Sequence, residues 1–197
     1  MASGERWNSF VVNERILTLA SCLTGLRIGL AGMICLCILD GLFKTALILF
    51  FLAEITDLLD GHVARKYNHV TDIGATLDTI ADKILIVSIL AVICHYVPNI
   101  YMPEWTVVAV GTREAVILFL RLIVKLSKRS LPVDITGKFK MWIQSLTVTL
   151  ILVHLSFLSI PETVLYWSVK IMFTATIMSG GWYLGRSFLI FAKSPRV

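Results

Sequence analysis

The sequence predicts an all-α membrane protein with six transmembrane helices, and three observations lead to this fold class. Hydrophobic residues make up 57% of the 197 residues, and the mean hydropathy is +0.82, whereas soluble domains are about 45–50% apolar. The apolar residues form blocks close to the ~20 residues that a helix needs to cross a bilayer. Lysine and arginine are concentrated in alternate short loops between these blocks. We therefore expect one membrane domain over residues 1–197.

The apolar blocks and their flanks define the elements in chain order. An N-terminal segment, residues 1–22, precedes a six-helix bundle over residues 23–190. Within that segment, residues 5–19 mix charges with aromatic and aliphatic residues, which favours a helix lying in the membrane interface; a disordered tail is the alternative. The six predicted spans are residues 23–41, 43–60, 73–97, 104–124, 140–159 and 163–190.

The basic residues also predict the orientation of the spans. Arg65 and Lys66 follow the second span, and several more basic residues follow the fourth, whereas residues 98–103 and 158–163 contain none. By the positive-inside rule, the basic loops and both termini are cytoplasmic. The net charge of +5 is therefore explained by an anionic membrane surface or an anionic substrate, and we expect no nucleic-acid partner.

Acidic residues are concentrated where the predicted spans should be apolar. Six of the thirteen acids fall within residues 54–82. An ionisable group at the centre of a membrane helix costs at least ~2.5 kcal/mol, so such groups face a cavity or one another and mark a site. The six are Glu54, Asp57, Asp60, Asp72, Asp78 and Asp82.

The spacing of these acids on helices indicates that they converge. Successive helix residues are about 100° apart, so Asp57 and Asp60 share one face of the second helix, while Asp78 and Asp82 form a stripe on the third. Two carboxylates can therefore face two others across neighbouring helices. Small residues lie on the same faces, where they allow close approach of a ligand or, alternatively, of another helix. They are Gly61 and Ala64, with Arg65 at the margin, and Gly74 on the third helix.

Four converging carboxylates require cations, because otherwise they repel one another. Oxygen ligands without cysteine or clustered histidine select Mg²⁺, Mn²⁺ or Ca²⁺ rather than zinc. Two divalent ions bridged by carboxylates can stabilise both the attacking and the leaving oxygen in phosphoryl chemistry. The residues therefore predict metal-dependent phosphoryl transfer. A transporter that binds cations in transit is the rival hypothesis, but it gives no reason for the fixed glycine, alanine and arginine positions.

Residues 57–82, DLLDGHVARKYNHVTDIGATLDTIAD, fit the pattern DxxDGxxAR, eight residues, then GxxxDxxxD at every fixed position. This pattern resembles the CDP-alcohol phosphatidyltransferases, which join an alcohol to the phosphatidyl group of a CDP-activated lipid. The resemblance implies a homodimer that uses two Mg²⁺ or Mn²⁺ ions and whose active site faces the cytoplasm, in a bacterial inner membrane or an equivalent one. It implies metal ligands at Asp57, Asp60, Asp78 and Asp82, and a CDP pocket formed by Asp57, Gly61, Ala64, Arg65 and Gly74.

The resemblance also implies a mechanism in which Asp82 is the general base. Asp82 takes the proton of the acceptor hydroxyl, the hydroxyl oxygen attacks the lipid-linked phosphorus, and CMP leaves. The substrates implied are therefore CDP-diacylglycerol and an alcohol.

Basic residues in the second half of the chain point to an anionic acceptor. We expect them to bind its phosphate through Arg113, Arg121, Lys138 and Arg186. The pieces TREAVILFLR and TGKFKMWIQ resemble the subgroup that makes phosphatidylglycerophosphate, with glycerol-3-phosphate as acceptor. Inositol phosphate, a second phosphatidylglycerol, or serine are the alternatives, since Ala20, Ser21 and Thr79 depart from the pattern of that subgroup. Lys140 is a further cation that could line a cavity for this acceptor. Alternatively, four basic residues anchor the cytoplasmic surface to anionic lipid: Lys125, Lys128, Arg129 and Lys140.

Overall fold

The computed structural model describes residues 24–66, 72–96, 102–126, 135–157 and 159–192; within them, the side chains at 59–66, 72–75, 125–126, 135–136, 138 and 188–192 lie outside the description. Every regular element in this part of the chain is a helix, which confirms the all-α class for these residues. The predicted interfacial helix lies outside them. The helices are α1 (Thr24–Leu39), α2 (Phe43–Lys66), α3 (Asp72–Tyr96), α4 (Glu104–Leu126), α5 (Ile135–Ser156) and α6 (Glu162–Ala192).

The helices begin and end close to the predicted spans, with two differences. Helix α2 continues to Lys66, beyond the predicted end at residue 60, and α5 begins at Ile135 rather than at residue 140. The prediction ended each span where its apolar run ended. A helix satisfies its backbone hydrogen bonds internally, however, so it can continue into a polar stretch. Both extensions carry residues that the sequence analysis assigned to the active site.

The connection between α1 and α2 is a tight turn built on Gly41. The Leu42 N–H donates to Cys37 O at 2.8 Å, and the Gly41 N–H donates to Ile38 O at 3.1 Å. This pair of bonds is the Schellman motif, which ends a helix with a left-handed residue. Gly41 has φ 73°, a conformation that glycine adopts without steric cost. The turn therefore ends α1 and starts α2 within three residues, Asp40–Leu42.

Prolines precede the starts of α4 and α6. Pro103 and Pro161 stand directly before these helices, and each carbonyl accepts a hydrogen bond from the first turn: Thr106 N–H at 2.9 Å and Val164 N–H at 2.8 Å. The first residue of each helix is a glutamate, whose charge is favourable near the positive end of the helix dipole.

The chain divides into two compact units, Met1–Ser88 and Ile89–Val197, with the boundary inside α3. Apolar side chains fill both interiors: Phe50 is fully buried in the first unit, and Ile151 and Met172 are fully buried in the second. In the second unit, α6 packs against α4 and α5. The assignment of residues 1–197 to one membrane domain stays a prediction.

Large apolar side chains also cover much of the outer surface of the described helices. Met178 is 75% exposed, Trp142 70% and Phe139 68%. Within the described chain, Phe139–Ser156 is long and apolar enough to cross a membrane, while Thr24–Leu39 is apolar but shorter. Helix α4 is long enough to cross a membrane but not apolar enough, because charged residues interrupt its apolar stretch. The count of six spans stays a prediction.

Candidate active site

Three of the predicted aspartates form a cluster in the first unit. Asp57 comes from α2, and Asp78 and Asp82 come from α3; we call these three residues the aspartate cluster. One carboxylate oxygen from each residue lies within 4.8 Å of the corresponding oxygens of the other two. The prediction that the carboxylates of the second and third helices face one another is therefore confirmed for these three residues. Asp60 lies within α2, but its side chain is outside the description.

The helical period explains this arrangement. Asp78 and Asp82 are four residues apart, so their side chains point from successive turns of one face of α3. The side chains differ in exposure: Asp82 is 17% exposed, Asp57 38% and Asp78 52%. The cluster is therefore open to solvent on the side of Asp78 and enclosed on the side of Asp82.

A single arginine, Arg27 of α1, binds all three carboxylates. Its Nη2 lies 2.6 Å from Asp57 Oδ1, and its Nη1 lies 2.7 Å from Asp82 Oδ1 and also contacts Asp78 Oδ1. The Arg27 side chain is only 4% exposed. Charge-assisted hydrogen bonds of this kind are the strong ones in proteins. Arg27 therefore connects three helices at one point.

The aspartate cluster carries more negative charge than Arg27 neutralises. Three carboxylates face one guanidinium, and carboxylates this close together disfavour one another's ionisation unless further positive charge is supplied. Carboxylate oxygens are hard ligands, suited to Mg²⁺, Mn²⁺ or Ca²⁺. The donor set therefore fits a divalent ion, and the three side chains could hold one.

The residues predicted to form a CDP pocket are only partly described. Asp57 belongs to the aspartate cluster. The others lie within the bounds of α2 and α3, but their surroundings are outside the described residues: Gly61, Ala64, Arg65 and Gly74.

A second group of charges lies buried in the second unit. Glu114 Oε1 accepts a hydrogen bond from Arg113 Nη1 at 2.9 Å and one from Lys140 Nζ. The side chains of Glu114 and Lys140 are 5% and 4% exposed. We call Arg113, Glu114 and Lys140 the cationic cluster, because it contains two basic groups and one carboxylate. Buried charges are expensive unless paired, and Glu114 pairs with both cations.

Helix α6 completes the surroundings of Arg113. The Arg113 Nη2 donates to Ser179 Oγ at 2.7 Å. A Cβ atom added at Gly180 would lie 3.2 Å from Cγ and from Nε of Arg113, so the absence of a side chain there lets the arginine lie against α6. The buried Nε of Arg113 has no hydrogen-bond partner among the described residues.

The four residues predicted to bind the acceptor phosphate differ in what the structure describes. Arg113 lies in the cationic cluster. Arg121 donates from Nε to Tyr183 Oη at 3.1 Å, and its guanidinium carbon lies 5.1 Å from the centre of that ring. Arg186 is an exposed residue of α6, and the side chain of Lys138 is outside the description. The described contacts therefore do not show that these four residues form one site, and they do not exclude it.

Two features of these sites were missed from the sequence. Arg27 was not among the predicted site residues, although a charged residue inside an apolar span is itself a sign of a site. The interpretation of Lys140 as a lipid anchor is wrong, because its ammonium group is buried against Glu114. The alternative interpretation, that Lys140 lines the acceptor cavity, stays a prediction. A signal existed for this pair too, since Glu114 is an acid inside a predicted span and requires a partner.

Comparison with known proteins agrees with this geometry. Residues 17–181 match the family described as CDP-alcohol phosphatidyltransferase. A Bacillus subtilis (strain 168) protein named CDP-diacylglycerol–glycerol-3-phosphate 3-phosphatidyltransferase is 33% identical over 144 residues, covering 72% of this chain and 72% of that protein. Proteins of the same name from Rickettsia bellii and Haemophilus influenzae are 31% and 37% identical, covering 68% and 54% of this chain and 73% and 57% of their own length.

Proposed function

The chain belongs to the CDP-alcohol phosphatidyltransferase family, and we propose that it transfers the phosphatidyl group of CDP-diacylglycerol to glycerol-3-phosphate, giving phosphatidylglycerophosphate and CMP. The observation that carries this proposal is the aspartate cluster, in which carboxylates from α2 and α3 approach within 4.8 Å. The names of the relatives support glycerol-3-phosphate as the acceptor.

We propose that Asp57, Asp60, Asp78 and Asp82 hold two divalent ions, Mg²⁺ or Mn²⁺. Support comes from the hard oxygen donors, from their short separation and from their excess negative charge. Bound there, the ions would neutralise charge on the phosphate and on the departing CMP oxygen. Asp57 would also line the CDP pocket, together with Gly61, Ala64, Arg65 and Gly74.

Asp82 is the proposed general base. It is the most enclosed carboxylate of the aspartate cluster, which suits a group that must exchange a proton with the substrate rather than with bulk water. Asp82 accepts the proton of the acceptor hydroxyl while that oxygen bonds to the lipid-linked phosphorus. The bond between this phosphorus and the CMP oxygen breaks at the same time. Arg65 would bind the diphosphate of the nucleotide.

The acceptor phosphate is proposed to bind Arg113, Arg121, Lys138 and Arg186. Support comes from the cationic cluster, where the basic groups outnumber the carboxylate and the buried Nε of Arg113 has no hydrogen-bond partner among the described residues. Arginine suits this role because its planar fork of N–H groups matches a phosphate.

The protein is further proposed to span the bilayer six times as a homodimer, with an interfacial N-terminal helix, cytoplasmic termini and an active site open to the cytoplasm. The exposed aromatic and aliphatic side chains of the described helices support contact with lipid, because soluble monomers rarely expose such extensive apolar surface.

One experiment tests the reaction and the acceptor together. Purified protein is incubated with radiolabelled CDP-diacylglycerol and Mn²⁺ in the presence of one acceptor: glycerol-3-phosphate, inositol phosphate, phosphatidylglycerol or serine. We expect CMP release and a new lipid, resolved by mass spectrometry, with glycerol-3-phosphate the best acceptor. A higher kcat/KM with any of the other three acceptors would reject the assignment of glycerol-3-phosphate but not the family chemistry.

Chelation tests the metal site. We expect activity to vanish in EDTA and to return with added Mg²⁺ or Mn²⁺, because the aspartates cannot stabilise a phosphate without positive charge. CMP release is the measurement, and EDTA already saturated with Mg²⁺ is the control. Full turnover in excess chelator would reject the metal-dependent mechanism.

A further inference from the structure

The guanidinium of Arg27 lies among the carboxylates that are proposed to bind metal. It comes from α1, which the sequence pattern did not include in the site, and contacts carboxylates on both α2 and α3. We propose that Arg27 is an internal counter-cation that competes with divalent metal for the aspartate cluster. This inference rests on the proposed metal site, and it adds a residue that controls how tightly the metal binds.

The first argument is that both cations need the same atoms. Arg27 takes one oxygen from each of the three carboxylates, and the ligand oxygens of these residues all lie within 4.8 Å of one another. A divalent ion bonds to carboxylate oxygens at about 2.0–2.6 Å. It would therefore lie within a few ångströms of the guanidinium, where two positive charges repel strongly away from bulk water. The two cations exclude one another.

The second argument concerns burial. The Arg27 side chain is 4% exposed, and a buried guanidinium is stable only with an anionic partner. The aspartate cluster supplies that partner, and Asp57 and Asp78 leave a side open to solvent through which the guanidinium could leave. The released group suits a phosphate, so a phosphate-containing substrate could take the place of the carboxylates.

Arg27 could alternatively serve to orient the carboxylates, and this role predicts the opposite change in metal affinity when Arg27 is removed. If Arg27 only orients the carboxylates for metal, its removal should disorder them and weaken metal binding. If Arg27 competes with metal, its removal should strengthen metal binding. The affinity for the metal alone, measured without substrate, therefore separates a competing cation from an orienting residue.

The test is calorimetric titration of the detergent-solubilised full chain with Mn²⁺ after removal of metal by chelation. We expect Arg27→Gln to bind Mn²⁺ at least about ten-fold more tightly than the wild type, because the nearest repelling charge is gone. The matched control is Lys170→Gln, which removes the same charge from an exposed lysine 4.4 Å from the centre of the Tyr166 ring. The control should bind Mn²⁺ as the wild type does.

The outcomes separate this inference from the proposed metal site. If neither the wild type nor the variants bind Mn²⁺, the metal site itself is rejected. If the wild type binds and Arg27→Gln binds equally or more weakly, only the competition is rejected. Tighter binding by Arg27→Gln alone supports it.

Thermal unfolding provides a second readout that does not depend on titration. In EDTA, Arg27→Gln should unfold at a lower temperature than the wild type, because its three carboxylates have lost their common cation. Saturating Mn²⁺ should remove most of that difference, and Arg27→Lys, which keeps the charge, should resemble the wild type more closely. If Arg27→Gln folds only with Mn²⁺, the proposal is supported; if it is equally unstable with and without Mn²⁺, the proposal is overturned.

Discussion

The aspartate cluster and the cationic cluster have opposite ratios of acidic to basic side chains. In the aspartate cluster, three carboxylates surround one guanidinium, and two of the carboxylates are more than a third exposed. In the cationic cluster, one carboxylate lies between two basic groups, and all three side chains are largely buried. Counted over these described contacts alone, the charges do not balance: the excess is negative in the first group and positive in the second.

This comparison indicates that the sign of the excess charge in each group predicts the charge of the ligand that the group binds. A group with excess carboxylate is completed by a cation, whereas a group with excess guanidinium and ammonium is completed by an anion such as phosphate. A single unmatched charge held away from water is costly, so such a charge is expected only where a ligand compensates it. Substitutions in each group should therefore change different measurable properties.

The largest expected effect separates two members of the aspartate cluster. Asp82→Asn keeps the shape but cannot accept a proton, so kcat should fall about 10²–10⁴-fold while CDP-diacylglycerol still binds in the presence of Mn²⁺. Asp57→Asn should lose both binding and turnover, with partial recovery in excess Mn²⁺. Calorimetry and CMP release measure the two properties. Near-normal kcat in Asp82→Asn, or loss of lipid binding as complete as in Asp57→Asn, would make Asp82 a plain metal ligand.

In the cationic cluster, the largest effect should fall on stability. Glu114→Gln removes the carboxylate that pairs with both Arg113 and Lys140, and removing one partner of a buried ion pair costs about 3–5 kcal/mol. Thermal unfolding of the detergent-solubilised protein measures this loss.

The control for Glu114 is Glu104, which lies 3.9 Å from His95 in an exposed pair. Exposed pairs contribute about 0–1 kcal/mol, so Glu104→Gln should hardly change the unfolding temperature. Equal losses in the two variants would show that burial does not distinguish the pairs.

A smaller effect is expected at Arg113 itself. Arg113→Ala removes a charge-assisted contact to the proposed acceptor phosphate, about 1.5–3 kcal/mol, which should raise KM for glycerol-3-phosphate roughly 10–150-fold. KM for CDP-diacylglycerol should change little. Lys170→Ala, which removes an exposed lysine of α6, serves as control. A parallel rise in both KM values would remove Arg113 from the acceptor site.

The smallest expected effect tests the position of Arg113. An alanine Cβ at position 180 would lie 3.2 Å from Arg113 Cγ and Nε, which displaces the side chain by a few tenths of an ångström. Because a misplacement of about 1 Å can cost about 100-fold, KM for glycerol-3-phosphate should rise roughly two- to five-fold.

Gly181 is the matched control, since a Cβ there meets nothing within 4 Å. Steady-state kinetics of Gly180→Ala and Gly181→Ala should therefore differ in the KM for glycerol-3-phosphate. Identical values would show that the contact between Gly180 and Arg113 does not position the arginine.

Much of the fold could be predicted because each helix leaves a local signal. The length of an apolar block determines where a membrane helix can lie, and the spacing of Asp78 and Asp82 determines that they share a face. The family match confirms the predicted enzyme class. Helix α2 continues to Lys66, beyond the predicted span that ends at residue 60, which agrees with the placement of Gly61, Ala64 and Arg65 on the second helix.

The contacts between helices could not be predicted in the same way. The sequence distance between Glu114 and Lys140 does not show that their side chains meet, because that depends on how α4 and α5 are arranged in the second unit. Arg27 was missed for the same reason, since its partners lie on two other helices. Its charge within an apolar segment was visible, but its role depends on contacts that only the folded chain provides.

The turn at Gly41 makes the first hairpin sensitive to changes in the length of its two arms. Arg27 lies about 14 residues before Gly41 and Asp57 about 16 after it, so at 1.5 Å per residue the two arms measure ~21 and ~24 Å. Arms of nearly equal length bring the guanidinium and the carboxylate to the same level. One inserted or deleted residue in either arm would rotate its charge by about 100° around the helix axis. An insertion or deletion in either arm should therefore separate Arg27 from Asp57, even where every other side chain of the hairpin is kept.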